Sequence, residues 1–298
     1  MKRLKRWFAL GMTAIMATGM LTGCGGSTAS AGGDKKVETS EPVADTSGYS
    51  ADVKTIIDRG VLKVGVKNAV VGFGYQDPLS GEYTGLEISL AQKLADDLGV
   101  DVEYTAVTAA TRTELLDSGD IDCVLATFTI TDERKESWDF STPYFTDHVT
   151  VLVEDASNIK SLSDLKGRKV GVSSGSTSAK SLVEAMIEDG EISGDGFNAD
   201  TFDPATWTEG VTFQQYEDYP SISTALSAGE VDAFCVDKSI LAIYKTDGRS
   251  YISDEFAPQE YGIATTKGSE LSEVANELVE KWLSDGTIDK LISENGLD

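Results

Sequence analysis

Residues 119–145 read GDIDCVLATFTITDERKESWDFSTPYF, and this stretch joins a buried strand to a polar turn. The apolar run CVLA is typical of a buried strand. Directly after it come Thr127, Thr129 and Thr131, and then Arg134. Helix capping explains Thr131 and the two acids that follow it. It leaves Thr127, Thr129 and Arg134 unexplained, and a fork of N–H donors beside free backbone amides is typical of a carboxylate site.

On both sides of this stretch, strand-like runs alternate with amphipathic helical segments. The strand-like runs are VLKVGV (61–66), VEYTAV (102–107), DCVLA (122–126), RKVGV (168–172), VTFQQY (211–216) and VDAFCV (231–236). Strands that alternate with helices predict the α/β class with mostly parallel sheets.

A seven-residue motif that occurs twice in the sequence predicts two similar halves. LDSGDID (116–122) matches LSAGEVD (226–232), and in each a helix ends at a glycine before a strand begins. Polar groups follow both strands, with Arg134 among them in the first half and Asp237 in the second. Ligands of open α/β sheets bind beyond the carboxyl ends of strands, so two such edges that face one another predict a cleft.

The N-terminus predicts export. Four cations precede an apolar stretch that is too short for a spanning helix, so residues 1–23 are expected to be a signal peptide. LTGC (21–24) resembles the bacterial lipobox, in which the cysteine is lipidated, although an ordinary signal peptide that contains a cysteine is the alternative. Residues 24–50 are Gly/Ser/Thr-rich and predict a flexible linker. We therefore expect an extracytoplasmic lipoprotein anchored to the membrane at Cys24.

Composition excludes several classes of function. The chain carries 25 Lys+Arg, 50 Asp+Glu and a net charge of −25, and loss of the four cations of the signal leaves 21 against 50, or −29. Such a charge repels nucleic acid. Cys123 and Cys235 lie in apolar runs and predict buried free thiols. With one histidine in the whole chain we expect no zinc site, and we expect no cofactor.

The segment GVSSG (171–175) fits the G-x-S-x-G pattern of a hydrolase nucleophile. That chemistry needs a histidine after the serine, and His148 lies before it. The loop is better explained as a set of N–H groups and hydroxyls that meet an anion.

The residues quoted above closely resemble the extracytoplasmic amino-acid-binding proteins of ABC importers, solute-binding protein family 3. The likeness runs from residue 52 to the end of the chain. The matching segments besides 119–145 are SGEYTGLEISLAQKLA (80–95), SLSDLKGRKVGVSSGST (161–177), VDAFCVDKSIL (231–241) and PQEYGIATTK (258–267).

This resemblance implies a two-lobed α/β fold of the periplasmic-binding-protein type II. Lobe 1 is expected at 51–147 plus 261–298, and lobe 2 at 148–260. Two hinge crossings are expected near 146–150 and 259–263. The implied protein is a monomer without catalytic residues that closes around one free amino acid and delivers it to permease subunits.

The resemblance also implies roles for single residues. Arg134 would clamp the ligand's α-carboxylate with help from Thr129, and Asp237 would take the α-ammonium together with Thr127. For Asp237, an N-cap on the following helix is the alternative. The residues expected to close on the carboxylate from the other lobe are Ser176 and Thr177.

Three further residues bear on the ligand's side chain. Lys67 occupies a position that is often acidic in relatives that bind neutral or basic amino acids, and Val70 replaces a ring that often stacks on the ligand. Lys67 and Arg112, each a solvated surface charge if taken alone, together resemble the cations of glutamate/aspartate binders, which also carry a tyrosine at the position of Tyr219. We therefore expect glutamate or aspartate, with glutamine or cystine as alternatives.

Two other classes of function stay open. A few proteins of this fold are enzymes, such as cyclohexadienyl dehydratases. Others are lipoprotein sensors or adhesins that serve no transporter.

Overall fold

The structure, a computed structural model, describes residues 49–298. The predicted signal peptide, Cys24 and the predicted linker up to residue 48 lie outside the described residues. Within the described part, no helix has both the length and the apolar character that a membrane crossing requires.

Strands and helices alternate along the described chain in the two halves that the sequence predicts. The strands are β1 (Val61–Val66), β2 (Ala69–Val70), β3 (Gly74–Gln76), β4 (Tyr83–Thr84), β5 (Asp101–Ala106), β6 (Cys123–Leu125), β7 (Trp138–Phe140), β8 (Phe145–Glu154), β9 (Arg168–Ser173), β10 (Val211–Tyr216), β11 (Ala233–Asp237), β12 (Arg249–Tyr251), β13 (Phe256–Tyr261) and β14 (Ala264–Thr266). The helices are α1 (Ala51–Arg59), α2 (Leu86–Leu98), α3 (Arg112–Ser118), α4 (Asp132–Ser137), α5 (Ser178–Glu188), α6 (Tyr219–Ala228), α7 (Lys238–Leu241), α8 (Glu270–Ser284) and α9 (Thr287–Glu294).

The strands form two main sheets, one in each lobe. The first has the order β5-β1-β6-β14-β7, and the second has the order β10-β9-β11-β8-β12, with β13 paired to β8. In the first sheet β1 is parallel to β5 and β6, and in the second β9 is parallel to β10 and β11. In the first sheet β14 is antiparallel to β6 and β7. In the second sheet β8 is antiparallel to β11, β12 and β13. A small antiparallel sheet, β2-β3-β4, adjoins the first lobe.

The repeated seven-residue motif has the same structure in both lobes. Gly119 and Gly229 end α3 and α6 in the left-handed conformation, with φ of 76° and 70°, and β6 and β11 follow. The last residue of each motif then ties its strand to the parallel neighbour. A carboxylate oxygen of Asp122 accepts the Lys63 N–H at 2.7 Å, and one of Asp232 accepts the Lys169 N–H at 2.8 Å. The same seven-residue motif therefore ends a helix and anchors the following parallel strand in both sheets.

Each lobe buries an apolar core under its helices. The predicted apolar face of α2, at Leu90, Leu94 and Leu98, is fully buried against the first sheet. Cys123 and Cys235 are buried and free, as predicted. Burial also raises the pKa of both thiols, so they remain neutral at physiological pH.

The two lobes are joined where β8 lies beside β13. Their antiparallel pairing sets Asp147 opposite Gln259 and Phe145 opposite Tyr261. The chain passes from β7 in the first sheet to β8 in the second, and it returns from β13 to β14. The expected crossings near 146–150 and 259–263 overlap this pair. The architecture is the expected two-lobed α/β fold.

Candidate functional site

The residues predicted to bind a ligand lie beyond the carboxyl ends of strands in both sheets. Lys67 follows β1 and Thr127 follows β6 in the first sheet, whereas Thr177 follows β9 and Asp237 ends β11 in the second. Those with an exposed fraction of 6% or less are Lys67, Arg112, Thr127, Thr129, Tyr219 and Asp237. Because open α/β sheets bind ligands at this edge, the cleft predicted from the sequence is the candidate site.

Arg134 is positioned by α4, whose N-cap is Thr131. The Thr131 hydroxyl accepts the Arg134 backbone N–H at 3.1 Å, which confirms the predicted cap. The Arg134 guanidinium donates from Nη1 to the Thr129 carbonyl at 2.7 Å and from Nη2 to the Gly175 carbonyl at 3.1 Å. Gly175 follows β9, so this side chain links the two lobes. Burial lowers the pKa of Arg134 to about 9, and neighbouring Arg112 adds to the fall, yet the side chain stays charged at neutral pH.

Phe128 contacts two guanidinium groups. Cζ of Arg112 lies 3.9 Å from the ring centroid, and Cζ of Arg134 lies 4.7 Å from it. Arg112 also donates from Nη1 to the carbonyls of Ala126 at 2.8 Å and Thr127 at 3.1 Å, whereas its buried Nε has no partner among the described residues. A cation close to an aromatic ring is stabilised by a cation–π interaction, and the hydrogen bonds to backbone carbonyls hold both guanidinium groups in place.

Lys67 and Tyr219 meet across the cleft, since Lys67 follows β1 and Tyr219 begins α6. The Lys67 Nζ lies 5.5 Å from the centroid of the Tyr219 ring. Neither Lys67 nor Arg112 is a solvated surface charge, because both are buried. Burial holds the pKa of Lys67 well below its ordinary value, and Arg112 pushes it in the same direction. The ion pairs of residues 49–298 are made by other lysines and arginines, so the cations of the cleft lack a carboxylate within 4.0 Å.

Asp237 holds its carboxylate in the cleft rather than on the helix that it precedes. Its backbone is the N-cap of α7, but its side chain makes no cap bond. Asp147 does so instead, accepting the Ser239 N–H at 3.0 Å. The carboxylate of Asp237 accepts the Tyr261 hydroxyl. Burial raises the pKa of Asp237 to about 7. The capping alternative is therefore wrong for this side chain.

Thr127 has a strained backbone. Its φ of 45° is left-handed, which is unusual for a β-branched residue and costs about 1–3 kcal/mol. Its N–H donates to Oε1 of Glu87 at 2.5 Å, and its Oγ1 is buried without a hydrogen-bond partner in the described chain. Strain of this kind persists where the surrounding contacts hold it, and it clusters at ligand sites.

Glu87 is a buried carboxylate that the sequence analysis did not select. It is fully buried, and burial raises its pKa. The signal was present in the helical period, since Glu87 falls in phase with Ala91, Leu94 and Leu98, whose side chains face the core. An acid in phase with a buried helical face needs a polar partner there.

The structure directs three of the predicted hydroxyls to contacts within the protein. The hydroxyls of Thr129 and Thr177 both donate to Oε1 of Gln259 at 2.8 Å. The Ser176 hydroxyl turns back to the Ser173 carbonyl at 2.7 Å. Gln259, on β13, was not selected from the sequence, and it joins a threonine of each lobe at the hinge.

A cavity of about 740 Å³ lies between the lobes beside Arg134. Its wall includes Thr129, Ser176 and Thr177 as well as Arg134. The wall does not include Lys67, Arg112, Thr127, Tyr219 or Asp237. The guanidinium of Arg134 thus borders both the open cavity and the buried group of charges.

Comparison with known proteins agrees with this architecture. Residues 62–296 match the family described as bacterial extracellular solute-binding proteins, family 3. The chain belongs to this family. The ABC transporter glutamine-binding protein GlnH of Bacillus subtilis (strain 168) is 32% identical over 297 residues, which cover 97% of this chain and 96% of GlnH. The glutamate-binding protein GluB of Corynebacterium glutamicum is 30% identical over 304 residues, which cover 96% of this chain and 88% of GluB.

Solved structures of similar fold extend the range of ligands. An ancestral arginine-binding protein bound to arginine has a TM-score of 0.66 and 35% identity, covering 79% of this chain and 98% of that one. The names of these relatives denote a neutral, an acidic and a basic amino acid. Membership in the family therefore leaves the charge of the ligand undecided, and the residues of the cleft must decide it.

Cations and carboxylates lie close together in the cleft of this solute-binding protein. Lys67, Arg112 and Arg134 lie near two buried carboxylates, Glu87 and Asp237. Buried charge is costly unless it is compensated, so the charge of the ligand bears on how well this group of residues is compensated.

Proposed function

We propose that this protein is the substrate-binding component of an ABC amino-acid importer and captures a free acidic amino acid, glutamate or aspartate, between its lobes. The observation that carries the choice of ligand is the pair of buried cations, Lys67 and Arg112, without a carboxylate in ion-pair contact.

In this proposal the ligand's two ends are held by opposite charges. The α-carboxylate receives N–H donors from Arg134, whose guanidinium contacts the ring of Phe128. The α-ammonium donates to Asp237 and to the buried Oγ1 of Thr127. Thr129 and Thr177 act on the carboxylate only after their hydroxyls leave Gln259.

The side-chain carboxylate goes to Lys67 and Arg112, beside the ring of Tyr219. Glutamine has almost the same shape as glutamate, but its amide offers one neutral carbonyl as an acceptor. The NH₂ group of the amide is a donor and would face the N–H donors of Lys67 and Arg112. The resulting uncompensated charge costs about 1–3 kcal/mol, which corresponds to a preference for the acid of about ten- to hundredfold.

The cellular setting belongs to the same proposal. Cys24 anchors the protein to the membrane outside the cell after removal of residues 1–23, and 24–50 is the tether. The monomer presents one lobe of 51–147 plus 261–298 and one of 148–260 to the permease subunits. If the protein is instead a sensor or adhesin that serves no transporter, amino-acid uptake should be unchanged in a strain that lacks the gene for this protein. A transport assay in that strain tests this alternative.

Competition calorimetry with glutamate, aspartate, glutamine and cystine tests the ligand assignment. The double variant Lys67→Met/Arg112→Met is expected to lose affinity for the acids and to keep most of that for glutamine. Lys160→Met is the matched control, because it removes a cation from an exposed position. If glutamine or cystine binds the wild-type protein as tightly as either acid, the assignment to an acidic ligand is wrong.

We also propose that the protein is a binder and not an enzyme. The competing activity is that of a cyclohexadienyl dehydratase, which requires a general acid in the cleft. Incubation with prephenate and arogenate, followed by chromatography, is expected to give no product. Product formation would contradict the proposal.

A further inference from the structure

We propose that Glu87 is a positioning residue that sets the net charge of the ligand that the cleft accepts, an inference that rests on the proposed function. Glu87 is the second residue of α2 and is fully buried. It lies next to the site without being one of the residues assigned to the ligand. Its place at a helix N-terminus favours the ionised carboxylate, because the first turn carries positive partial charge.

The hydrogen bonds of Glu87 also favour the ionised form. Oε1 accepts the Thr127 N–H at 2.5 Å and the Tyr144 hydroxyl at 2.6 Å. Oε1 thus accepts two donors, whereas Oε2 has no partner among the described residues. Burial opposes ionisation and raises the pKa of Glu87, while both donors, together with Lys67 and Arg112, act against that rise.

Hydrogen bonds connect Glu87 to Arg112 through the backbone of one strained residue, Thr127. The Thr127 N–H is bound by Glu87, and the Thr127 carbonyl accepts Nη1 of Arg112 at 3.1 Å. Because Thr127 is held at a φ of 45°, its N–H and carbonyl are fixed between the two side chains. The carboxylate therefore holds the backbone that orients a cation of the side-chain pocket.

The charge of Glu87 acts on Lys67 in addition. The charged groups around Lys67 are Arg112 and Arg134, which disfavour its ammonium form, and Glu87 and Asp237, which favour it. Tyr219, whose ring faces Nζ, stays a neutral phenol because burial raises its pKa. Glu87 thus favours the protonated form of Lys67. It also repels the ligand's extra carboxylate, so it limits how strongly an acid is preferred.

The substitution Glu87→Gln removes the charge of the side chain and keeps its shape. The amide oxygen can accept the same two hydrogen bonds, and its NH₂ takes the place of the unpartnered Oε2. We expect the ratio of the Kd for glutamine to the Kd for glutamate to rise about tenfold at about pH 6. As the pH is raised, the preference for glutamate should fade at a lower pH than in the wild type, because Lys67 has lost a counter-charge.

Two variants complete the test. Glu82→Gln removes a carboxylate from an exposed position five residues earlier and should leave the ratio and its pH profile unchanged. Glu87→Asp keeps the charge but shortens the reach to Thr127, so both ligands should weaken together with a ratio within about twofold of wild type. A purely structural Glu87 would instead make Glu87→Gln weaken both ligands equally and leave the pH profile in place, which would overturn the inference.

Failure of this inference is distinguishable from failure of the proposed function. If the wild-type protein binds no amino acid, the proposed function is wrong before any variant is compared. If it prefers glutamine, the assignment to an acidic ligand is wrong, but Glu87→Gln must still shift the ratio toward glutamate. An unshifted ratio in a folded, ligand-binding Glu87→Gln protein refutes only the role of Glu87.

Discussion

Lowering the pH from about 8 to about 5 is expected to weaken ligand binding through Asp237. The ligand's α-ammonium needs an ionised partner, and burial raises the pKa of Asp237 to about 7 in the unliganded protein. Nearby Asp147 raises it as well, while the Tyr261 hydroxyl and two arginines act in the opposite direction. Each unit of pH below this pKa therefore reduces the fraction of binding-competent protein about tenfold.

The magnitude follows from that fraction. At about pH 5 roughly one molecule in a hundred has Asp237 ionised, so the apparent Kd should be about a hundredfold higher than at pH 8, a cost of about 2.7 kcal/mol. The ligand itself does not titrate in this range, because its carboxylates ionise below about pH 5 and its ammonium above about pH 8. Isothermal calorimetry in buffers of different ionisation enthalpy gives both the Kd and the proton released on binding.

Asp237→Asn provides the control, since it keeps the shape of the side chain and cannot titrate. This variant should bind weakly, and its Kd should not change through Asp237 between about pH 5 and pH 8. A wild-type Kd that is flat across this range would refute the assignment of Asp237 to the ammonium. An Asp237→Asn variant with the full hundredfold pH dependence would assign the titration to another group.

The same shift affects the stability of the unliganded protein. The folded-state pKa of Asp237, about 7, lies above its unperturbed value of 3.8, so the folded state binds the proton more tightly. The contribution of Asp237 to stability is therefore greatest below about pH 4 and is lost as the pH rises through about 7. Relative to Asp237→Asn, the melting temperature of the wild-type protein should fall across this window. A difference that is constant with pH would contradict the raised pKa.

Further changes to the cleft have distinct expected results. Arg134→Ala should weaken binding by about 2–5 kcal/mol, since it removes the carboxylate donors stacked on Phe128, and calorimetry within a factor of three of wild type would exclude that role. Tyr261→Phe removes a hydrogen-bond donor from Asp237, so the pKa should rise further and the midpoint of the pH profile of the Kd should move to higher pH.

The sequence by itself determined the α/β class and the duplicated halves of this protein. Both follow from local patterns, namely the alternation of apolar strands with amphipathic helices and the glycine that ends a helix before Asp122 and before Asp232. The cap at Thr131 and the burial of Cys123 and Cys235 could be predicted for the same reason. Each of these features depends on contacts within a few residues or on the apolar character of one short run.

Only the tertiary structure decided which polar groups face one another in the cleft. Glu87 meets Thr127, Gln259 meets Thr129, and Tyr261 meets Asp237, although the partners are 40, 130 and 24 residues apart. A local pattern shows which face of a helix or strand is buried, but not what that face meets across the fold. The charge state of a buried group depends on those distant partners and on the exclusion of water, because desolvation opposes ionisation and only a nearby opposite charge or hydrogen bond restores it.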